Sequence, residues 1–180
     1  MPSSNGGQTI SVCLNFRNSA MSYLHGTTRR STAIKTGEAS WAVQEKKDQK
    51  YIDLVSKVAQ DVLPVSNARI ASAIVIGNTV VGLGRNSYKT HPLQAKYGKT
   101  EHTIHLHAEI DAIKNSLRRV SVDDLTKATI YISRVKKRDR KRGFVPGLSA
   151  PCSGCMGAIT DFGTKRIVYS LDGEGFRVIE

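Results

Sequence analysis

The sequence predicts an α/β protein with a three-layer α/β/α arrangement, in which helices cover both faces of a mixed sheet. Two observations carry this prediction. Segments with helical periodicity alternate with β-branched runs in the second half of the chain, an order typical of parallel strands joined by crossover helices. The chain also has 180 residues, 39% of them hydrophobic and 23% charged, which is enough to bury a core without disulfides.

The first regular elements are a helix and a hairpin. Apolar residues recur at helical spacing over 49–64 and predict an amphipathic helix that a proline ends. The apolar runs 70–76 and 79–83 flank Gly77-Asn78. Because glycine and asparagine tolerate the backbone of tight two-residue turns, these runs predict a β-hairpin.

The remaining elements alternate after a long loop. Residues 84–103 carry Gly, Asn, His and Pro and predict that loop. One-sided apolar periodicity predicts a helix over 107–119, and a β-branched run predicts a buried strand over 128–135. A segment that starts with proline and ends with glycine predicts a further helix over 151–163, and a last apolar run predicts a strand over 164–170. The last ten residues predict a turn and a short edge strand or helix.

The chain divides into an N-terminal extension and a folded domain. Residues 1–47 are rich in Ser, Thr, Asn and Gly and predict a polar, poorly structured or loosely packed extension, followed by the domain over 48–180. The start lacks the pattern of a secretory signal, and no apolar run is long enough to span a membrane. We expect an intracellular, cytoplasmic protein, although the absence of acids before Glu38 also fits organelle targeting by residues 1–37.

Charge points to anionic partners. Lys and Arg total 27 against 15 Asp and Glu, which gives a net charge of +12. Such a surface attracts nucleotides, nucleic acid or anionic membranes. The basic run 136–142 has two interpretations: a solvated hairpin tip, or a clamp for the phosphates of a nucleotide or a nucleic-acid backbone.

Two short motifs carry the chemistry. His-Leu-His-Ala-Glu (105–109) stands at the start of the second predicted helix, and Pro-Cys-Ser-Gly-Cys (151–155) at the start of the third. Alone, the first could be a surface histidine and the second a redox pair. Together they supply the one His and two Cys of a catalytic zinc site, which keeps a fourth position for water. An acid two residues after the histidine could exchange protons with that water.

These paired motifs resemble the signature of the zinc-dependent cytidine and deoxycytidylate deaminase superfamily. The resemblance extends over about 48–172 and includes the first hairpin, a Gly-x-Asn after it, and the segment behind the second motif. It implies a cytidine-deaminase-like fold and Zn²⁺ as the cofactor. The implied zinc ligands are His107, Cys152 and Cys155, and the implied catalytic proton carrier is Glu109.

The resemblance also implies a substrate. We expect hydrolytic deamination of a cytosine nucleotide or nucleoside, with a deoxycytidylate-like substrate favoured, to the uracil product and ammonia. Asn86 would contact base or sugar, and the backbone N–H of Ala108 would meet the pyrimidine carbonyl. Ser149 and Arg134 fit a branch in which a strand ending in Arg leads through a loop to Ser-x-Pro-Cys, and we assign both to substrate binding. The family is commonly oligomeric, so we expect a homo-oligomer.

Two other functions stay open. The charge also fits a deaminase acting on cytosine or adenine within RNA or single-stranded DNA. The third possibility is a non-catalytic zinc-containing module that binds nucleic acid, although a structural zinc site usually has a fourth protein ligand. His105 is ambiguous, because it could order the loop, pack, or contact the substrate.

Overall fold

The computed structural model describes residues 11–12, 36–98, 105–139 and 143–180. The helices, in chain order, are α1 (Thr36–Gln60), α2 (Pro92–Tyr97), α3 (Ala108–Ser116), α4 (Val122–Leu125) and α5 (Ser153–Asp161). The strands are β1 (Ser11–Val12), β2 (Arg69–Ile76), β3 (Thr79–Arg85), β4 (Ala128–Asp139), β5 (Gly143–Gly147), β6 (Arg166–Ser170) and β7 (Phe176–Ile179).

The strands form one mixed sheet in the order β1-β7-β6-β4-β2-β3. β4 and β6 pair in parallel, whereas the other neighbouring strands pair antiparallel. Helix α5 makes the crossover between the two parallel strands, as the alternating sequence pattern predicts. β5 pairs antiparallel with the distal half of β4, beyond the end of its pairing with β6.

Helices cover both faces of the sheet, and the alternation of side chains along β2 shows how. Ala71, Ala73 and Val75 belong to an apolar cluster with the buried residues of α1. Ile74 points to the opposite face and joins a second cluster with the apolar residues of α3 and α5. The three-layer α/β/α arrangement is therefore confirmed.

The first helix is longer than the sequence predicts. α1 begins at Thr36 rather than near 49, so residues 36–47 are helical and do not belong to an irregular segment. Periodicity missed these turns because 40–47 carry no buried apolar stripe, and Trp41 and Val43 are exposed. Of the residues before α1, the structure describes Ser11–Val12, which pair with β7. The division of the chain at 47/48 stays a prediction.

Two short helices and one strand were also missed. α2 lies inside the predicted loop; His91 caps it and Pro92 begins it, but six residues are too few to show periodicity. α4 begins with a capping box at Ser121. β4 continues to Asp139 and pairs with β5, so the basic run begins as strand, while 140–142 lie outside the described residues. Within the described ranges, no helix is long and apolar enough to cross a membrane.

Candidate active site

The start of α3 is held against β2 and β3 by small residues. A Cβ on Gly84 of β3 would lie 2.1 Å from the carbonyl oxygen of Ala108 and 2.3 Å from the nitrogen of Ala112. Only glycine therefore allows β3 to run this close to the helix. The buried hydroxyl of Ser72 donates to the carbonyl of Ala108 at 2.6 Å. These contacts fix the first turn of α3, which His107 precedes as the N-cap residue.

The second motif is anchored to the sheet just before its cysteines. Ser149 is buried and its hydroxyl donates to the carbonyl of Ile132 at 2.9 Å. The same oxygen accepts from the backbone N–H of Ser170 at 3.0 Å. Cys152 then caps α5, and its Sγ accepts from the backbone N–H of Cys155 at 3.5 Å. The thiols are thus presented from the N-terminus of a helix that starts at the edge of the core.

Helix α2 contacts both motifs. Gln94 is buried, and its Oε1 accepts from the backbone N–H of His107 at 2.9 Å. The carbonyl oxygen of Tyr97 would lie 2.3 Å from a Cβ on Gly154, so the end of α2 rests directly on the start of α5. The hydroxyl of Tyr97 also donates to Asp161 at 2.9 Å. We call Gln94 and Tyr97 the α2 clamp, because together they tie α3 to α5.

The three predicted metal ligands come together. The Nδ1 atom of His107 lies 3.3 Å from Sγ of Cys155 and 3.6 Å from Sγ of Cys152, and the three ligand atoms all lie within 4.8 Å of one another. Bonds of roughly 2.0–2.3 Å to a tetrahedral centre separate ligand atoms by about 3.5 Å. The residues therefore fit a zinc ion, and within the described chain they form a three-ligand set, as a catalytic site requires.

The two thiols of the ligand set have different pKa values. Hydrogen bonds with Cys155 and then with His107 lower the pKa of Cys152 to about 3. The bond to Cys152, together with burial, raises the pKa of Cys155 well above its usual range. The hydrogen bond to Cys152 raises the pKa of His107. The low pKa of Cys152 favours its thiolate, the form that binds a metal, and metal binding would displace protons from the other ligands.

Glu109 is a buried carboxyl group beside this cluster. It is only 6% exposed, and desolvation by burial is the main reason why its pKa is raised. Burial disfavours the charged form, so this carboxyl group accepts a proton more readily than an exposed one. Glu109 is therefore suited to general acid–base chemistry.

A cavity of about 360 Å³ brings most of the predicted residues together. Its lining includes His107, Cys152, Glu109, Ala108 and Asn86. Apolar residues make up much of the remaining wall, so the cavity suits the flat ring of a base.

Asn86 supports the cavity wall from within. Its Oδ1 accepts from the backbone N–H of Ile70 at 2.9 Å, and its Nδ2 donates to the carbonyl of Ala68 at 2.9 Å. Both groups of the amide are thus engaged with the chain at the start of β2. Asn86 lines the cavity as predicted, but it also holds that wall in place.

The structure does not bring Ser149 and Arg134 to this cavity. The hydroxyl of Ser149 is committed to the buried contacts described above. Arg134 lies on β4, where its backbone N–H donates to the hydroxyl of Ser170 at 3.2 Å. Neither residue is part of the cavity lining. Their assignment to substrate binding stays a prediction that the lining does not support.

Sequence reasoning missed Gln94 and Ser72, which position the first motif. Each acts through one bond to a backbone atom of a distant segment. Ser72 carried a weak signal, since it is a polar residue inside an apolar strand. Gln94 carried none, because its role depends on where a six-residue helix packs.

The model of the cytidine and deoxycytidylate deaminase zinc-binding region matches residues 45–171 of the chain. Fold, ligand set and this match define a zinc-binding deaminase-type protein. The chain belongs to the cytidine and deoxycytidylate deaminase family, and the prediction of zinc as its cofactor is confirmed.

Solved structures with similar chains have low sequence identity. The apo dCMP deaminase from the cyanophage S-TIM5 is 16% identical over 69% of this chain and 82% of that one, with a TM-score of 0.48. The same enzyme with dCMP and dUMP is 16% identical over 76% and 83%, with a TM-score of 0.42. RibD from Acinetobacter baumannii is 20% identical over 69% and 28%, with a TM-score of 0.40. No curated protein sequence matches significantly.

Proposed function

We propose that this protein is a zinc-dependent hydrolase that converts a cytosine nucleotide or nucleoside and water into the uracil product and ammonia. The resemblance favours a deoxycytidylate-like substrate. The observation that carries the proposal is the position of Glu109. Its buried carboxyl group lines the same cavity as His107 and Cys152, two members of the ligand set.

Glu109 moves the protons of the reaction. When bound, zinc supplies the Lewis acidity that makes water a nucleophile near neutral pH. Glu109 takes one proton from the attacking water and gives it to the ring nitrogen N3. It then carries the second proton of that water from the new hydroxyl group on C4 to the amino nitrogen, which leaves as ammonia. The carbon that loses this nitrogen gains the oxygen of water, so the base becomes uracil and the enzyme is unchanged.

The start of α3 orients the base. Ala108 is the first residue of that helix, where backbone N–H groups have no partner within the helix. Its N–H would donate to the carbonyl of the pyrimidine, and the helix dipole would strengthen this interaction. The N–H of His107 is already bonded to Gln94, so the two successive amides have separate roles.

Ammonia release tests the proposal. The zinc-loaded protein is assayed with cytidine, deoxycytidine, their mono- and triphosphates, and cytosine- or adenine-containing oligonucleotides. We expect turnover of at least one free nucleoside or nucleotide. Turnover of oligonucleotides alone would contradict the proposed substrate class, and no turnover with zinc bound would favour the non-catalytic module.

Glu109→Gln tests the role of the carboxyl group. We expect a loss of roughly 10²–10⁴-fold in kcat with zinc content unchanged, because general acid–base groups contribute about this much. Asp111→Asn is the matched control, since Asp111 lies on the same helix but bonds the backbone N–H of Arg85 at 3.1 Å and the side chain of Lys114. Full activity in Glu109→Gln would exclude the proposed role.

A second candidate function is deamination within nucleic acid. Lys136, Lys137 and Arg138 line a groove of about 690 Å³ between the β4–β5 hairpin and the turn before β7. Asp172 lines the same groove and pairs with Lys136, which reduces its positive charge. The signature of this function is polynucleotide binding that weakens with salt and with Lys137→Glu.

The assembly and location of the protein stay predictions. The homo-oligomer is to be checked by light scattering on the zinc-loaded protein. The cytoplasmic location and the alternative of organelle targeting by 1–37 are to be checked by imaging of the full chain.

A further inference from the structure

His105 lines the cavity, and the chemistry proposed above does not use it. Its ring is half-buried, and Nδ1 is buried without a hydrogen-bond partner among the described residues. Nδ1 therefore does not anchor the ring to any of the described residues.

The ring is held in position by its surroundings. Tyr88 packs against it edge to face, with ring centroids 5.0 Å apart at an angle of 84°. The hydroxyl of Tyr88 in turn accepts from the backbone N–H of Ser66 at 3.4 Å, and Ser66 also lines the cavity. Leu106 accepts a backbone hydrogen bond from Ser87 at 3.0 Å, which fixes the segment that carries His105. The imidazole is thus preorganised rather than free to swing away.

His105 stands two residues before the metal ligand His107 on an extended segment. The chain is extended at His107, with φ −79° and ψ 151°, and Leu106 pairs there in an isolated bridge. Alternate residues of an extended chain point to the same side and lie about 7 Å apart. This span is comparable to that from the amino-bearing carbon of cytosine to the hydroxyl groups of its sugar. A base at the ligand set can therefore place its sugar within reach of His105, which lines the same cavity.

Few other groups in the cavity can bind the sugar. The amide of Asn86 already makes one hydrogen bond to the chain through Oδ1 and one through Nδ2, so it has one donor and one acceptor position left for a ligand. Among the described lining residues there is no Lys or Arg, the usual partners of a phosphate. A neutral imidazole nitrogen donates or accepts, and so does a hydroxyl group, so the two match in either tautomer.

We propose that His105 is a substrate-binding residue that hydrogen-bonds a sugar hydroxyl of the nucleoside part through its imidazole ring. The inference rests on the proposed function and names how the site tells a nucleoside from a free base. Within the cavity, the ligand set, Glu109 and Ala108 act on the base, and His105 binds the sugar.

The test is a cycle of two changes, one in the protein and one in the substrate. Zinc-loaded wild type, His105→Leu and His105→Gln are assayed with deoxycytidine, cytidine and analogues that each lack one sugar hydroxyl. In the wild type, we expect removal of the contacted hydroxyl to lower kcat/KM about tenfold. His105→Leu should show a similar loss on the parent nucleoside, mainly in KM, and no further loss on that analogue. His105→Gln, whose Nε2 can replace the ring nitrogen, should restore the discrimination.

Three outcomes overturn the inference. His105→Leu could discriminate among the analogues as the wild type does. It could lose only its preference for the 5′-monophosphate, which would mean that the ring binds phosphate. If His105→Leu loses zinc, the decision passes to His105→Gln. A His105→Gln variant that keeps its zinc but does not discriminate among the analogues overturns the sugar contact.

Binding separates this inference from the proposed function. If the wild type releases no ammonia from any substrate, the proposed function fails by itself. Calorimetry with uridine and with uracil then tests the contact alone. A preference for uridine in the wild type that His105→Leu lacks supports the contact, and equal behaviour of the two proteins overturns it.

Discussion

At the scale of single residues, a buried carboxylate outside the cavity lining shows how the first helix is held to the sheet. Asp48 of α1 is 2% exposed, and two nitrogens of Arg166 donate to its carboxylate at 2.9 and 2.8 Å. The hydroxyl of Tyr131 donates to the same group at 2.8 Å. Burial and then the hydrogen bond to Asp48 raise the pKa of Tyr131, and the bond to Asp48 raises the pKa of Arg166 against the opposing effect of burial. The carboxylate thus ties α1 to β4 and β6.

We predict that Asp48→Ala lowers the free energy of unfolding by about 3 kcal/mol, because it leaves a buried guanidinium and hydroxyl without their partner. Urea denaturation gives the value. Glu180→Gln is the control, since Glu180 accepts from the same Arg166 at 3.0 Å but its side chain is 71% exposed. It should cost no more than about 0.5 kcal/mol. Equal costs for both changes would show that burial of the pair does not decide its contribution.

Residues that carry chemistry could be found from the sequence, whereas residues that position them could not. His107, Cys152 and Cys155 were recognisable because zinc accepts few donor types at few spacings. Glu109 followed from its place beside them. Gln94 and Ser72 each bond one backbone atom of another segment, and no local pattern marks such a partner.

At the scale of elements, the packing of α2 on α5 makes a sharp prediction. A Cβ on Gly154 would meet the carbonyl oxygen of Tyr97 at 2.3 Å, and backbone cannot yield as a side chain can. Gly154→Ala should therefore push α2 away from α5, at a cost of about 1–3 kcal/mol in stability. Because α2 also holds His107 through Gln94, zinc affinity should fall about tenfold or more. Competition with a chelating dye measures the affinity.

Gly157→Ala is the matched control on the same helix. Its Cβ would lie 3.8 Å from a ring carbon of Tyr97, an ordinary contact. Alanine is also a better helix former than glycine by about 1 kcal/mol, so this variant should be as stable as the wild type or more so. If Gly154→Ala behaved like Gly157→Ala, the α2 clamp would not position the site.

Elements with a long repeating pattern could be predicted, and short ones could not. The β2–β3 hairpin and α3 lie where the sequence predicts them. Burial on one face gives a strand an apolar period of two residues and a helix an apolar period of 3.6 residues. α2 has six residues, and β5 is paired only with the distal part of β4. The beginning of α1 failed for a different reason, since its exposed turns carry no apolar stripe.

At the scale of the whole molecule, zinc joins parts that are distant in the chain. Its ligands precede α3 and begin α5, and those helices pack on the same face of the sheet. A metal bound only by the folded state stabilises it by about 2.7 kcal/mol at a concentration of one hundred times Kd. For a chain of this size, we expect removal of zinc to lower Tm by about 5–10 °C.

Differential scanning with and without a chelator measures this effect. Cys155→Ala provides the control, because it lacks one ligand and should melt at the same temperature with and without chelator. A wild type whose Tm does not change when zinc is removed would mean that the ligand set adds nothing to the stability of the fold.

The layer arrangement as a whole could be predicted from the sequence, because the alternation of helices and strands limits the possible topologies. The pairing of β1 with β7 was not, since two residues leave no pattern. Nor could the sequence show that Ser149 faces the sheet rather than the cavity.

The β4–β5 hairpin also makes this protein a convenient scaffold for engineering. Its two arms pair up to Asp139 and Gly143, beyond the part of β4 that pairs with β6. Residues added in equal numbers to both arms preserve the strand register, so they leave the segment that leads to Cys152 unchanged. A peptide library grafted between Asp139 and Gly143 would be displayed on a paired ribbon, and zinc content would report on whether the ligand set of each library member is folded.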